Sequence, residues 1–213
     1  MRELEIRTWV KQLGQSFGTP RPVADVTTLR DCFERKAYSE MIGLVRDSMR
    51  LQELSLRIGY VNSGGPKTAP AWIEMPNPMP LYNSSDFKRL RLTMYIRKEF
   101  IERVGFPIIL MPIAHEMAHV VLNSTMHQQR RVEEFVDLTA MFLGYRHAFT
   151  TTNNVEEPDT SFDPVLTGRL REMFGSGFHY DVSSSKPIGR LGYLTIAERR
   201  FAAGLMGPTS PIA

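Results

Sequence analysis

The residues of this chain best equipped for chemistry are His115, Glu116 and His119, in the segment His115-Glu116-Met117-Ala118-His119. On a helix, residues four apart lie one above the other on the same face. Two imidazole nitrogens can therefore reach one metal ion, and Glu116 sits beside the pair, within reach of a water on that ion. Zinc activates such a water and the carboxylate takes its proton as it attacks a carbonyl, which is why His, Glu and His are wanted at this spacing. Three fixed letters in five arise by chance in roughly one ordinary chain in a hundred. Ile108, Ile109, Leu110, Ile113, Ala114, Val120, Val121 and Leu122 make the flanks apolar. A buried helix carrying two histidines and a glutamate needs polar compensation, which a metal supplies. The bland alternative is a core helix whose histidines are merely hydrogen-bonded.

A zinc site needs a third protein ligand. A third histidine spaced as in metzincins would fall at Thr125, and its companion glycine at Leu122, so that subclass is excluded. His127 lies in a polar stretch past the helix and reads as a surface residue. The stronger candidates are Glu133, Glu134 and Asp137. At about 100° per residue, Glu133, Asp137, Ala140 and Gly144 share a narrow stripe, while Glu134 points about 100° away with Leu138 and Met141. Ala and Gly on the stripe would let this helix approach the His-bearing one. Glu133 is thus expected as the third ligand, with Glu134 as runner-up. Asp137 is expected to orient a ligand histidine through its other ring nitrogen.

His115-Glu116-x-x-His119 followed by Glu133-x-x-x-Asp137-x-x-Ala140 resembles the gluzincin arrangement of thermolysin-like peptidases. It also resembles the compact ImmA/IrrE-like bacterial metallopeptidases, whose downstream helix carries Glu, then Asn, then Ala. Here the Asn position is Asp137, as in thermolysin-like enzymes. The resemblance covers residues 90–145. It implies an α+β, zincin-like core: a small sheet, an active-site helix, a glutamate helix, and substrate held extended along a sheet edge. It further implies a cytoplasmic regulatory peptidase acting on a protein or peptide. Residues 1–53 and 165–213 are not covered by it.

The elements that must position these residues follow from periodicity. An amphipathic helix is expected over 3–13, ended by Gly14 and the Gly18-Thr19-Pro20 break, and a long one over 28–52 capped by Thr27 or Thr28. From Leu54 the period changes to two, with Leu54, Leu56, Ile58 and Tyr60 alternating with polar neighbours. Ala71–Met75 and Leu90–Ile96 read as further strands, giving a three-stranded sheet expected to be antiparallel. Pro70, Pro76, Pro78 and Pro80 mark the second strand as an edge. Helices are expected over 97–104, 108–122, 130–149, 164–174 and 196–206, the last capped by Thr195, with 150–158 an acidic loop and 175–192 irregular. The first 53 residues read as a helical segment packed on a 54–213 core.

A tetrahedral stage also wants a donor for its oxyanion. Tyr193, in the turn Gly192-Tyr193-Leu194-Thr195, is the favoured candidate over His179, Tyr180, Tyr145, Arg146 and His147. The net charge of +3 over 213 residues gives little support to a nucleic-acid partner. One cysteine, Cys32, excludes an intrachain disulfide and fits a reducing compartment. No apolar signal core or membrane span is read. The expectation is a cytoplasmic zinc peptidase. The alternatives are a zinc hydrolase of another amide and a metal-binding sensor without catalysis, against which retention of Glu116 argues.

Overall fold

The structure is a computed structural model that describes residues 2–62, 65–66, 69–103, 105–151 and 192–207. Its mixed α+β architecture is built around one apolar helix. The expected 164–174 helix, most of the 150–158 loop and most of the 175–192 stretch lie outside the described residues, as do His179 and Tyr180.

The chain opens with α1 (Arg2–Phe17), which buries Ile6, Trp9 and Leu13 on one face. It runs three residues beyond Gly14 and stops where Gly18 takes a positive φ of 84°. The expected 28–52 helix is two helices, α2 (Val26–Glu34) and α3 (Tyr38–Ser48). Lys36 sits between them at φ 59°, a left-handed turn made without glycine or proline. Asp25, not Thr27 or Thr28, caps α2: its carboxylate accepts the N–H groups of Thr27 and Thr28.

Three strands follow: β1 (Ser55–Val61), β2 (Ala71–Ile73) and β3 (Arg91–Arg97). Their order is β1-β3-β2. The antiparallel expectation needs correction. β1 pairs parallel with β3 over Ser55–Val61 and Arg91–Arg97, and only β2 runs antiparallel to β3. The second strand in sequence passes to the far side of the third, so β1 and β3 become neighbours after a crossover. β3 is consequently central and offers no free edge, while β2 ends the sheet. Leu92, Met94 and Ile96 of β3 face the core, as the alternation requires.

Between β2 and β3 a short α4 (Ser85–Arg89), capped by the Ser84 hydroxyl, was not foreseen from the sequence. After α5 (Lys98–Arg103) comes the central α6 (Phe106–Ser124). Gly105 precedes it and Pro107 stands at its first turn, where a missing N–H costs nothing. α6 packs against β2, α3 and the helices that follow.

The expected 130–149 helix is also in pieces: α7 (Glu133–Ala140), a π-helical turn (Met141–Tyr145) and α8 (Arg146–Thr151). Gly144 takes φ 114° inside the π turn. A Cβ there would lie 2.7 Å from the Pro22 carbonyl oxygen, so its close approach is to the N-terminal arm and not to α6. The extra residue of the π turn throws Gly144 off the Glu133 stripe. The last described helix, α9 (Ile196–Leu205), starts as expected at Thr195, in a reciprocal cap with Glu198. α1 lies on α7 and α9, and α9 on α8.

Candidate metal centre

Helical spacing brings the His115 and His119 rings to a centroid distance of 4.8 Å, inclined at 81°. Glu133 arrives from the first turn of α7, where the helix dipole favours an acid and no side chain caps the end. Its Oε2 lies 3.1 Å from His115 Nε2 and 3.1 Å from His119 Nε2. The three donor atoms are all within 4.8 Å of one another. Zinc–nitrogen and zinc–oxygen bonds near 2.0–2.2 Å set tetrahedral ligands ~3.3 Å apart. Two imidazoles and one carboxylate at this spacing therefore fit a four-coordinate ion with one position left for water or substrate.

Asp137, one turn after Glu133 and fully buried, places Oδ1 2.8 Å from His115 Nδ1. Asp137 accepts the Nδ1 proton and fixes the ring with Nε2 aimed at Glu133, to which the protonated ring donates its Nε2 proton. The other Asp137 oxygen accepts the backbone N–H groups of Tyr193 at 2.6 Å and Leu194 at 3.2 Å. Glu116 points toward the sheet instead, accepting the Ile73 N–H at 3.1 Å from the end of β2.

Three carboxylates thus meet two imidazoles, with Asp137 fully buried and Glu133 partly open to solvent. Burial alone would discharge His115, but its bonds to Asp137 and Glu133 outweigh that and hold its pKa at about 10. Burial likewise opposes the charge on Glu133, yet the two histidines pull it down to about 2. Asp137 is lowered in spite of burial by His115, the nearby Arg199 and the Tyr193 N–H. Glu116 goes the other way: burial raises it, and the histidines and the Ile73 N–H only partly compensate. A divalent ion at the point where the histidine nitrogens and Glu133 meet would take the place of the protons that these groups share.

The remaining sequence candidates separate cleanly. Glu134 turns away and pairs with Arg2 of α1 at 3.0 Å, and Arg2 also holds Glu198 at 2.7 Å. His127 stacks between Phe17 and Phe135, with ring centroids 6.2 and 4.7 Å away, and its Nδ1 accepts the Gln129 N–H. The Tyr193 ring lies on His115 at 5.6 Å and 23°. Burial first, and then Glu133, Asp137, Glu116 and Glu134, push its hydroxyl up to about 12, so it remains a protonated donor at neutral pH. Tyr145 is buried and bonded to Ser48, and Arg146 donates to the Arg21 carbonyl. His147 lies in α8, its carbonyl accepting the Thr150 and Thr151 hydroxyls. Sequence reasoning missed the Ile73 N–H, Gly192 and Arg199. A backbone group carries no residue signal, and an arginine inside an ordinary amphipathic helix carries none either.

Comparison with protein families, with curated proteins and with solved structures finds no match to this chain. Among the described residues, no helix is long and apolar enough to cross a membrane.

Proposed function

We propose that the chain is a zinc-dependent metallopeptidase of zincin type, cytoplasmic and of narrow regulatory specificity, acting on a protein or peptide. The observation that carries this reading is the convergence of Glu133 Oε2 on His115 Nε2 and His119 Nε2, each at 3.1 Å, with Glu116 adjoining. His115, His119 and Glu133 would hold the ion, and Asp137 would fix the ring of His115. Bound zinc supplies Lewis-acid polarisation of a water and of the scissile carbonyl. Glu116 accepts the proton that the water loses on adding to the carbonyl carbon and returns it to the leaving nitrogen. The raised proton affinity that burial gives Glu116 suits both halves of that task. Tyr193 is the proposed donor to the oxyanion. An extended peptide laid along β2, the strand that ends the sheet, would pass beside Glu116, which the Ile73 N–H ties to that strand.

The deciding experiment is Glu116→Gln in the full chain, with zinc content and proteome-wide cleavage measured together. The variant keeps the fold and the zinc, and turnover falls by about 10²- to 10⁴-fold, the usual worth of a general base. A cellular effect that persists undiminished in this variant would assign the protein to metal binding without catalysis. Turnover of non-peptide amides alone would assign it to another class of zinc hydrolase.

A further inference from the structure

The carboxylate that orients His115 is itself gripped from the far end of the described chain. Asp137 Oδ2 takes the two consecutive N–H groups of Tyr193 and Leu194, just before α9. Gly192, at φ 81°, has no room for a side chain. A Cβ there would lie 2.4 Å from Arg199 Nη2, 2.8 Å from Met111 Cε and 2.9 Å from Asp137 Oδ2. The guanidinium of Arg199 and the carboxylate of Asp137 therefore crowd the same point, and both residues are fully buried. The segment touches the histidine directly as well, through the Tyr193 ring. Rotating Asp137 away from His115 would break its bonds to residues 193 and 194, and lifting residues 192–194 would release Asp137.

Resting on the metal reading above, we infer that Gly192–Arg199 is a clasp that positions His115 for the cation, so that cation binding and seating of this segment form one coupled equilibrium. Tyr193 and Leu194 act through their backbone and Arg199 through Asp137; each is a positioning residue for His115. Coupling of this kind is reciprocal. Whatever loosens the clasp weakens the metal, and the metal tightens the clasp by the same factor. Removal of a group that orients a ligand histidine commonly weakens metal affinity by about 10- to 100-fold.

The test uses the full chain, with zinc affinity measured by chelator competition. Arg199→Gln and Gly192→Ala are compared with wild type, with Arg199→Lys as the conservative control. Gly192→Ala is informative because the groups obliged to shift include the Asp137 carboxylate and the Arg199 guanidinium themselves. The expected result is a loss of about 10- to 100-fold in both variants with circular dichroism unchanged, and recovery of most of the affinity in Arg199→Lys. The visible bands of cobalt(II)-loaded Arg199→Gln should also shift, which a merely structural role would not produce. Should the variants fail to fold, wild-type amide exchange decides the matter. Zinc should slow exchange at Tyr193 and Leu194 more than at Ile58 in β1. Unchanged affinity in both folded variants, or exchange at 193 and 194 indifferent to zinc, overturns the clasp. A wild-type chain that binds no zinc overturns the metal reading itself, and that outcome is read without any variant.

Discussion

The candidate centre has two halves made in different ways. His115, Glu116 and His119 sit within five consecutive residues of α6, and their mutual geometry is fixed by helix pitch alone. Glu133, Asp137 and the 192–194 backbone come from separate elements, and tertiary packing brings them together. A half built by pitch survives any disturbance that leaves one helix intact. A half built by packing depends on α1, α7 and α9 seating together. The first should therefore behave as a switch under mutation and the second as a graded control.

The largest expected effect tests the pitch-built half. The double variant His115→Ala/His119→Ala should lose tight zinc binding entirely, as read by elemental analysis of purified protein. Undiminished zinc in that variant would remove the basis of the comparison. Next comes the packing-built half, where Glu133→Ala and Glu134→Ala form a matched pair on neighbouring positions. Glu133→Ala should weaken zinc by orders of magnitude. Glu134→Ala should change it little, because its carboxylate faces Arg2. The reverse ranking would move the third ligand by one residue.

A smaller effect should appear in the pH dependence of stability. His115 is raised from 6.5 to about 10, so its contribution is complete below 6.5 and fades as pH climbs toward 10. Glu133 is lowered from 4.5 to about 2, so its contribution is complete above 4.5 and fades as pH falls toward 2. In chelator-treated protein the cluster should stabilise most between pH 4.5 and 6.5, judged by melting of wild type against His115→Ala. Zinc needs unprotonated imidazoles, so the stabilisation gained on adding it should grow with pH over the range where the chelated protein weakens. Parallel curves with and without zinc would contradict this. The smallest effect concerns the base of the clasp: Thr195→Ala removes one arm of the α9 cap and should cost about 1 kcal/mol in denaturant unfolding.

The division between local and assembled structure also accounts for what the residues disclosed before any coordinates. The His-Glu helix, the alternation of β3 and the Thr195 cap are each written within a few neighbouring residues; the alternation of β1 holds through Ile58 and fails at Tyr60, which is exposed. Choosing Glu133 over Glu134 needed only helical angles, and the two side chains do diverge as those angles require. No glycine or proline announces the break at Lys36, whose left-handed turn is closed locally by the Lys36 N–H on the Phe33 carbonyl and the Ala37 N–H on the Cys32 carbonyl. Gly144 marks a close approach, as a glycine on that stripe suggests, but not to α6. A π turn inserts a residue that no periodicity reveals, and the approach is made to Pro22. The parallel pairing of β1 with β3 was hidden for a related reason. Strand alternation tells which face is buried but says nothing of which strand lies beside which.

The seam at Gly144 has a consequence in time. The backbone of Arg21 and Ala24 bonds to Phe142 and Gly144, and Arg146 reaches back 125 residues to the Arg21 carbonyl. During synthesis, at about 5–20 residues per second, the arm between α1 and α2 therefore waits roughly 6 to 25 s for its partners to be made. α1, with Ile6, Trp9 and Leu13, waits longer still, because α9, one of the helices it lies on, follows it by about 180 residues, roughly 9 to 36 s at the same rate. The order in which the ribosome delivers the molecule runs opposite to the order in which its N-terminal arm can close.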